Sequence, residues 1–123
     1  MIYFISGHRN ITEDEFMTHY SPKILEALRD PNVEFVVGEC DGTDIMAQHF
    51  LKGKIVDEKL TVYHMGDKPI NIDGDWKTKG GYKSHVHRDS VMTNVSHIDI
   101  FWIRNWGENT GTEQNIIRRK NIL

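Results

Sequence analysis

Three stretches of this sequence bring glycine together with small polar and charged side chains. They are Ser6-Gly7-His8-Arg9-Asn10, Gly38-Glu39-Cys40-Asp41-Gly42-Thr43-Asp44 and Gly107-Glu108-Asn109-Thr110-Gly111-Thr112-Glu113. Glycine lets a backbone approach a ligand closely, and His8 and Arg9 add donors suited to phosphate or carboxylate. If Gly42-Thr43 and Gly111-Thr112 each open a helix, the unpaired amides and partial positive charge there favour an anion. Each stretch alone also reads as an ordinary turn, with Asp41 or Thr43 as an N-cap and Arg9 solvated. Their repetition is what points to a shared cleft, provided the chain folds so that they meet.

The elements between them predict that it does. Ile2-Tyr3-Phe4-Ile5 is a continuous apolar run of the kind buried on both faces of a parallel sheet, and 33–37 and 98–103 repeat it. Residues 60–64 suggest a further strand. Thr12 and Glu15 have capping-box spacing, and Phe16, Tyr20, Ile24, Leu25 and Leu28 continue at helical intervals, with a bend expected near Pro22. Further helices are expected after Asp44, over 84–95 and over about 111–120. The stretch 66–81 is rich in Gly, Asp, Asn and Lys and shows no period, so it reads as a long loop, functional or mobile.

Strands alternating with helices predict an α/β fold: a small Rossmann-like three-layer sandwich with a mostly parallel sheet of about four strands. In such a sheet the loops after the strands gather at one edge, near the point where strand order reverses, which is where ligands bind. With 123 residues the chain has room for one domain, 1–123. Four strands leave edges that self-association could cover, so a homo-oligomer is a further expectation.

Composition narrows the function. The formal net charge of -3 supplies no global positive field for a phosphate backbone, so general nucleic-acid binding is not expected. No apolar run approaches the roughly 20 residues that span a bilayer, and no signal-peptide pattern opens the chain. A single cysteine, Cys40, excludes an internal disulfide and suits a reducing compartment, so a cytoplasmic location is expected. His8, His64, His85 and His87 lack supporting carboxylate or cysteine spacing, so no metal is expected, and no cofactor either. Arg118-Arg119-Lys120 reads as cations favoured at a helix C-terminus, and Trp106 as an aromatic beside the last glycine turn.

The motifs also carry a resemblance. Ser6-Gly7-His8-Arg9 is similar to an opening Gly-x-Arg turn, and Val37-Gly38-Glu39-Cys40-Asp41-Gly42-Thr43-Asp44-Ile45-Met46-Ala47 to a glycine-rich turn continuing into Gly-x-Asp-x-x-Ala. His87-Arg88-Asp89-Ser90-Val91-Met92 is similar to an Arg-Lys-x-x-Met helix, and the segment through Gly107–Thr112 to a Pro-Gly-Gly-x-Gly-Thr-x-x-Glu turn. In this order, over nearly the whole chain, they resemble the SLOG superfamily of Rossmann-like nucleotide-binding proteins, which includes the Lonely Guy phosphoribohydrolases and lysine-decarboxylase-like proteins. In the phosphoribohydrolase members the helix arginine and the motif's glutamate act together on an N-glycosidic bond. Arg88 matches that arginine, but the glutamate position holds Asn115, which hydrogen-bonds without serving as a base. Glu113 lies two residues earlier, about 200° around a helix, and does not simply replace it.

The resemblance implies a nucleotide-derived ligand, of ADP-ribose or nucleoside-phosphate type, bound for sensing or sequestration. Arg9 and Arg88 would neutralise phosphates, Gly42, Thr43, Gly111 and Thr112 would donate to them, and Asp41, Glu108 or Asn109 would hold ribose hydroxyls. Ser6, Gly7, His8, Gly38 and Thr110 complete the expected set. The alternative is an N-glycosidic phosphoribohydrolase or ribosyl transferase, with Arg88, Glu113 and Glu108 as catalytic candidates and Asp41 as a further carboxylate. A third reading is a partner-binding module with a vestigial cleft.

Overall fold

The computed structural model describes residues 1–122. Leu123, the end of the expected 1–123 domain, lies outside the described residues. The chain runs β1 (Ile2–Ile5), α1 (Glu13–His19), α2 (Ser21–Ala27), β2 (Glu34–Val37), α3 (Thr43–Leu51), β3 (Leu60–Met65), β4 (Lys77–Tyr82), α4 (His85–Val95), β5 (Ile98–Ile100) and α5 (Gly111–Ile122). All strand pairings are parallel, in the order β4-β3-β2-β1-β5. This is the expected Rossmann-like α/β sandwich, with one strand more than the four predicted.

Alternation along the strands divides the core in two. Ile5, Phe35, Val37, Leu60 and Val62 face α1, α2 and α3, where Phe16, Tyr20, Ile24, Ala47 and Leu51 are buried against them. On the other face Phe4, Val36 and Tyr63 pack with Met92 of α4, and α5 lies beside α4. β1 is an inner strand, Phe4 pairing with Val36 on one side and Asp99 on the other. Strand order therefore reverses between β1 and β5, and the loops after these two strands flank the crevice.

Local chemistry accounts for the boundaries. The Thr12 hydroxyl accepts from the Glu15 amide at 3.1 Å while the Glu15 carboxylate accepts from the Thr12 amide at 2.9 Å, a complete capping box. The expected bend near Pro22 is a full break into two helices at Tyr20, because the proline ring has no amide to continue the ladder. Residues 101–103, expected to extend the last strand, leave the sheet instead. There the Trp102 amide donates to the Tyr20 hydroxyl at 2.9 Å.

The stretch 66–81 is corrected most. Its second half forms β4, an edge strand paired only with β3. Lys77 and Lys79 stand exposed on it, the charge that edge strands carry against unwanted pairing. Gly80 accommodates His64, whose Cε1 would lie 1.8 Å from any added Cβ. The first half is pinned down: the Met65 and Ile70 amides both donate to Glu39 at 2.8 Å, the Asp73 amide donates to Gln48 at 2.8 Å, and buried Trp76 donates to the Asp73 carbonyl at 2.9 Å. Among the described residues no helix is long and apolar enough to cross a membrane.

Candidate functional site

A cleft of about 300 Å³ opens at the carboxyl ends of β1 and β2, bounded by the first turn of α4 and the start of α5. Of the residues expected at a ligand, Ser6, Gly7, His8, Arg9, Gly38, Arg88, Thr110, Gly111 and Thr112 line it. Asp41, Gly42, Thr43, Glu108 and Asn109 do not, nor does Glu113. Cys40, Asp44, His85, Asp89 and Asn115 also face it.

The two expected helix N-termini have different fates. Gly42, at φ +77°, makes the left-handed turn into α3, where the His8 and Arg9 carbonyls leave no room for a Cβ. The Thr43 amide and hydroxyl both donate to the His8 carbonyl, at 3.1 and 3.0 Å, so they are spent on joining two loops. At α5, Thr110 caps the helix: its hydroxyl accepts from the Glu113 amide at 3.2 Å and its carbonyl from the Gln114 amide at 3.1 Å. The amides of Gly111 and Thr112 come before the first intrahelical bond, and both residues line the cleft.

The carboxylates proposed as bases are also accounted for. Both Glu113 oxygens accept backbone amides of their own turn, Gly107 at 3.2 Å and Glu108 at 3.1 Å. Glu108 itself is exposed, and Asp41 is exposed and accepts from Asn71 at 3.2 Å. Asn109 holds a left-handed φ of 55°, a turn role. Asn115 does line the cleft, and its side-chain oxygen accepts from Arg118. Trp106 is 61% exposed, stands edge-on to Phe101 and is not part of the wall.

Arg88 is the central charge. It is 4% exposed, and its Nε and Nη2 donate to Asp89 at 3.2 and 3.1 Å. Among the described residues its Nη1 is buried without a partner, as is the Ser6 hydroxyl. Unpaired buried donors are rare because each forfeits its hydration, so two on one cleft point to a ligand that accepts. His8 accepts from the Arg104 amide at 2.9 Å through Nε2, which leaves the proton of the neutral ring on Nδ1. Burial, aided by Arg104, holds His8 below its ordinary pKa and keeps it in that neutral form.

Two residues escape the motif reading. Asp44 lines the cleft at 8% exposure, and its Oδ2 accepts from the Cys40 amide at 3.0 Å. Burial pushes its carboxyl up to about 7 against that hydrogen bond and the attraction of Arg88. Tyr20 reads in the sequence as one more apolar helix position. In the fold its hydroxyl donates to the Ser6 carbonyl at 2.7 Å while accepting from Trp102, fastening the two loops of the crevice together.

Arg104 supports the rim. Its Nε and Nη2 grip Glu15 at 3.1 and 2.7 Å, and Nη1 reaches Asn10 at 3.2 Å. The guanidinium hydrogen bonds hold the Glu15 carboxyl down at about 2, from 4.5. A depressed carboxyl contributes stability above its unfolded value and loses it as pH falls through the folded one. The Glu15→Gln variant should therefore lose less stability than wild type between about pH 4.5 and about pH 2 in acid titrations. Parallel acid curves would refute this. Comparison of the chain with protein-family models, curated proteins and solved structures finds no match.

Proposed function

We propose that the protein binds a nucleotide-derived small molecule, of ADP-ribose or nucleoside-phosphate type, for sensing or sequestration. The observation that carries this reading is the buried Arg88 Nη1, unpartnered on a cleft that also holds the Gly111 and Thr112 amides. Phosphate oxygens accept from donors of these kinds, and a helix N-terminus favours their charge. The Ser6 hydroxyl and the His8 ring offer further polar contacts. The reading includes membership of the SLOG superfamily and a cytoplasmic location, with self-association through exposed sheet edges or helix faces.

The test is titration calorimetry against AMP, ADP-ribose, cyclic ADP-ribose and NAD, with product analysis of each mixture. A ligand recovered intact supports sensing or sequestration. In Arg88→Gln, affinity should fall by about tenfold to a hundredfold, the worth of a hydrogen bond to a charged group. Arg88→Lys should retain part of it, and thermal melts of both variants separate lost binding from lost folding. Unchanged affinity in a folded Arg88→Gln protein would sink the assignment.

One observation favours the hydrolase or transferase alternative. Asp44 places a carboxyl on the cleft that Asn115 does not provide and that Glu108, Glu113 and Asp41 hold elsewhere. Release of free base or ribose phosphate from any of the four ligands would establish this second reading.

A further inference from the structure

We propose that an anion and a proton enter this cleft together, with Asp44 holding the proton. The inference rests on the anion-binding reading of the cleft and concerns its regulation.

Arg88 is crowded by two carboxylates. Asp89 takes Nε and Nη2 from one side. Asp44 approaches across Gly38: a Cβ there would lie 2.7 Å from Asp44 Oδ2 and 3.2 Å from Arg88 Cζ, so the bare glycine lets both groups share one strand end. Neither Asp44 oxygen lies within salt-bridge distance of a cation among the described residues. Among the described residues only Cys40 donates to it, with its amide at 3.0 Å and its thiol, whereas a comfortably ionised buried carboxylate accepts two or three backbone amides. With Asp44 ionised, the buried cluster of Arg88, Asp89 and Asp44 is net negative and repels an incoming anion. With Asp44 protonated it is neutral, and Nη1 is free to serve the ligand.

Burial already brings Asp44 to about 7, so the proton is available near neutral pH. The other charged or titratable groups around it are His8 and Arg9 from the loop after β1, Cys40 after β2, His85, Arg88 and Asp89 on α4, and Tyr20 behind. The wall from α5 has none: Thr110, Gly111, Thr112 and Asn115 are uncharged, and Arg118 reaches the site only through Asn115. Cys40 is raised by burial and by Asp44, so it stays a neutral thiol. His85 also lines the cleft, so a variant without its imidazole serves as the control.

The probe is sulfate, which keeps its charge over the relevant range, titrated at constant ionic strength in buffers of different ionisation enthalpy. In the wild type, affinity should fall by up to about tenfold per pH unit between about pH 7 and about pH 8.5, and binding near pH 8 should take up close to one proton. Asp44→Asn should flatten this dependence and abolish the uptake, while His85→Asn should keep both. The Asp44 carboxyl carbon, followed by NMR, should titrate at higher pH when sulfate is present. An Asp44→Asn protein that keeps the wild-type slope would overturn the inference, as would sulfate binding without proton uptake or no sulfate binding at any pH. The nucleotide panel is read separately: proton-linked sulfate binding with no nucleotide bound fails only that reading, and nucleotide binding without linkage fails only this one.

Discussion

Substituting Arg119 by methionine should cost about 3–5 kcal/mol of folding free energy, the penalty for stranding a buried charge partner. Its guanidinium donates to both oxygens of Asp99 at 3.1 Å, to the Thr93 and Ser96 carbonyls at 3.1 and 2.8 Å, and to the Ser96 hydroxyl at 2.6 Å. One side chain thereby fastens α5 to the end of α4 and to β5. A basic run that reads as cations favoured at a helix C-terminus thus contains a buried clamp. For a domain whose whole stability is about 5–15 kcal/mol, the loss leaves little. Urea unfolding would show a lower midpoint at unchanged slope. Arg119→Lys should recover only part, because an ammonium cannot span two oxygens and two carbonyls as the planar fork does. Pairing Arg119→Met with Asp99→Leu should restore much of the loss, since no charge is then stranded. A single variant that loses under about 1 kcal/mol would refute the clamp.

The Asp44→Asn variant should gain stability instead. The folded carboxyl titrates near 7, above its ordinary 3.8. A raised folded value gives a contribution that is complete below the unfolded pKa and lost as pH rises through the folded one. Ligand-free wild type therefore weakens relative to Asp44→Asn between about pH 4 and about pH 7, and the difference levels off above that. By pH 8 it should reach about 2–4 kcal/mol, since each tenfold difference in proton affinity between the folded and unfolded chain is worth roughly 1.4 kcal/mol. The amide can keep the hydrogen bond from Cys40, so geometry need not change. Urea curves at three pH values decide it, and a pH-independent difference would show that the carboxyl is not the cause. A residue that lowers stability where it stands is commonly kept for what the site does.

Much of the architecture was legible because buried parallel strands leave apolar runs, and Ile2–Ile5 and Glu34–Val37 are such runs. The Thr12–Glu15 cap was legible for an equally local reason. β4 was not: an edge strand buries little, so Lys-Thr-Lys-Gly-Gly-Tyr carries no hydrophobic period, and its glycine answers to a histidine on the neighbouring strand. The gathering of three loops at one end of the sheet followed from topology alone. Which helix start stays open did not, because the His8 carbonyl closes Thr43 from 35 residues away. Asp44 stood inside a recognisable motif, yet its chemistry comes from burial that no local pattern encodes. Tyr20 was invisible for the opposite reason: its ring belongs to the apolar stripe, and only its hydroxyl reaches the two loops.

The place of β1 between β2 and the edge strand β5 sets a schedule for synthesis. Its first neighbour, β2, follows within about thirty residues, but its second, β5, pairs Tyr3 with Ile98. A nascent chain must therefore carry β1 paired on one side only until β5 has left the ribosome. The Arg119 clamp comes later still. Pairing so distant along the chain slows folding and prolongs exposure of unpaired strand edges. Shielding the open edge of β1 until β5 emerges is a task suited to a chaperone that recognises apolar strands.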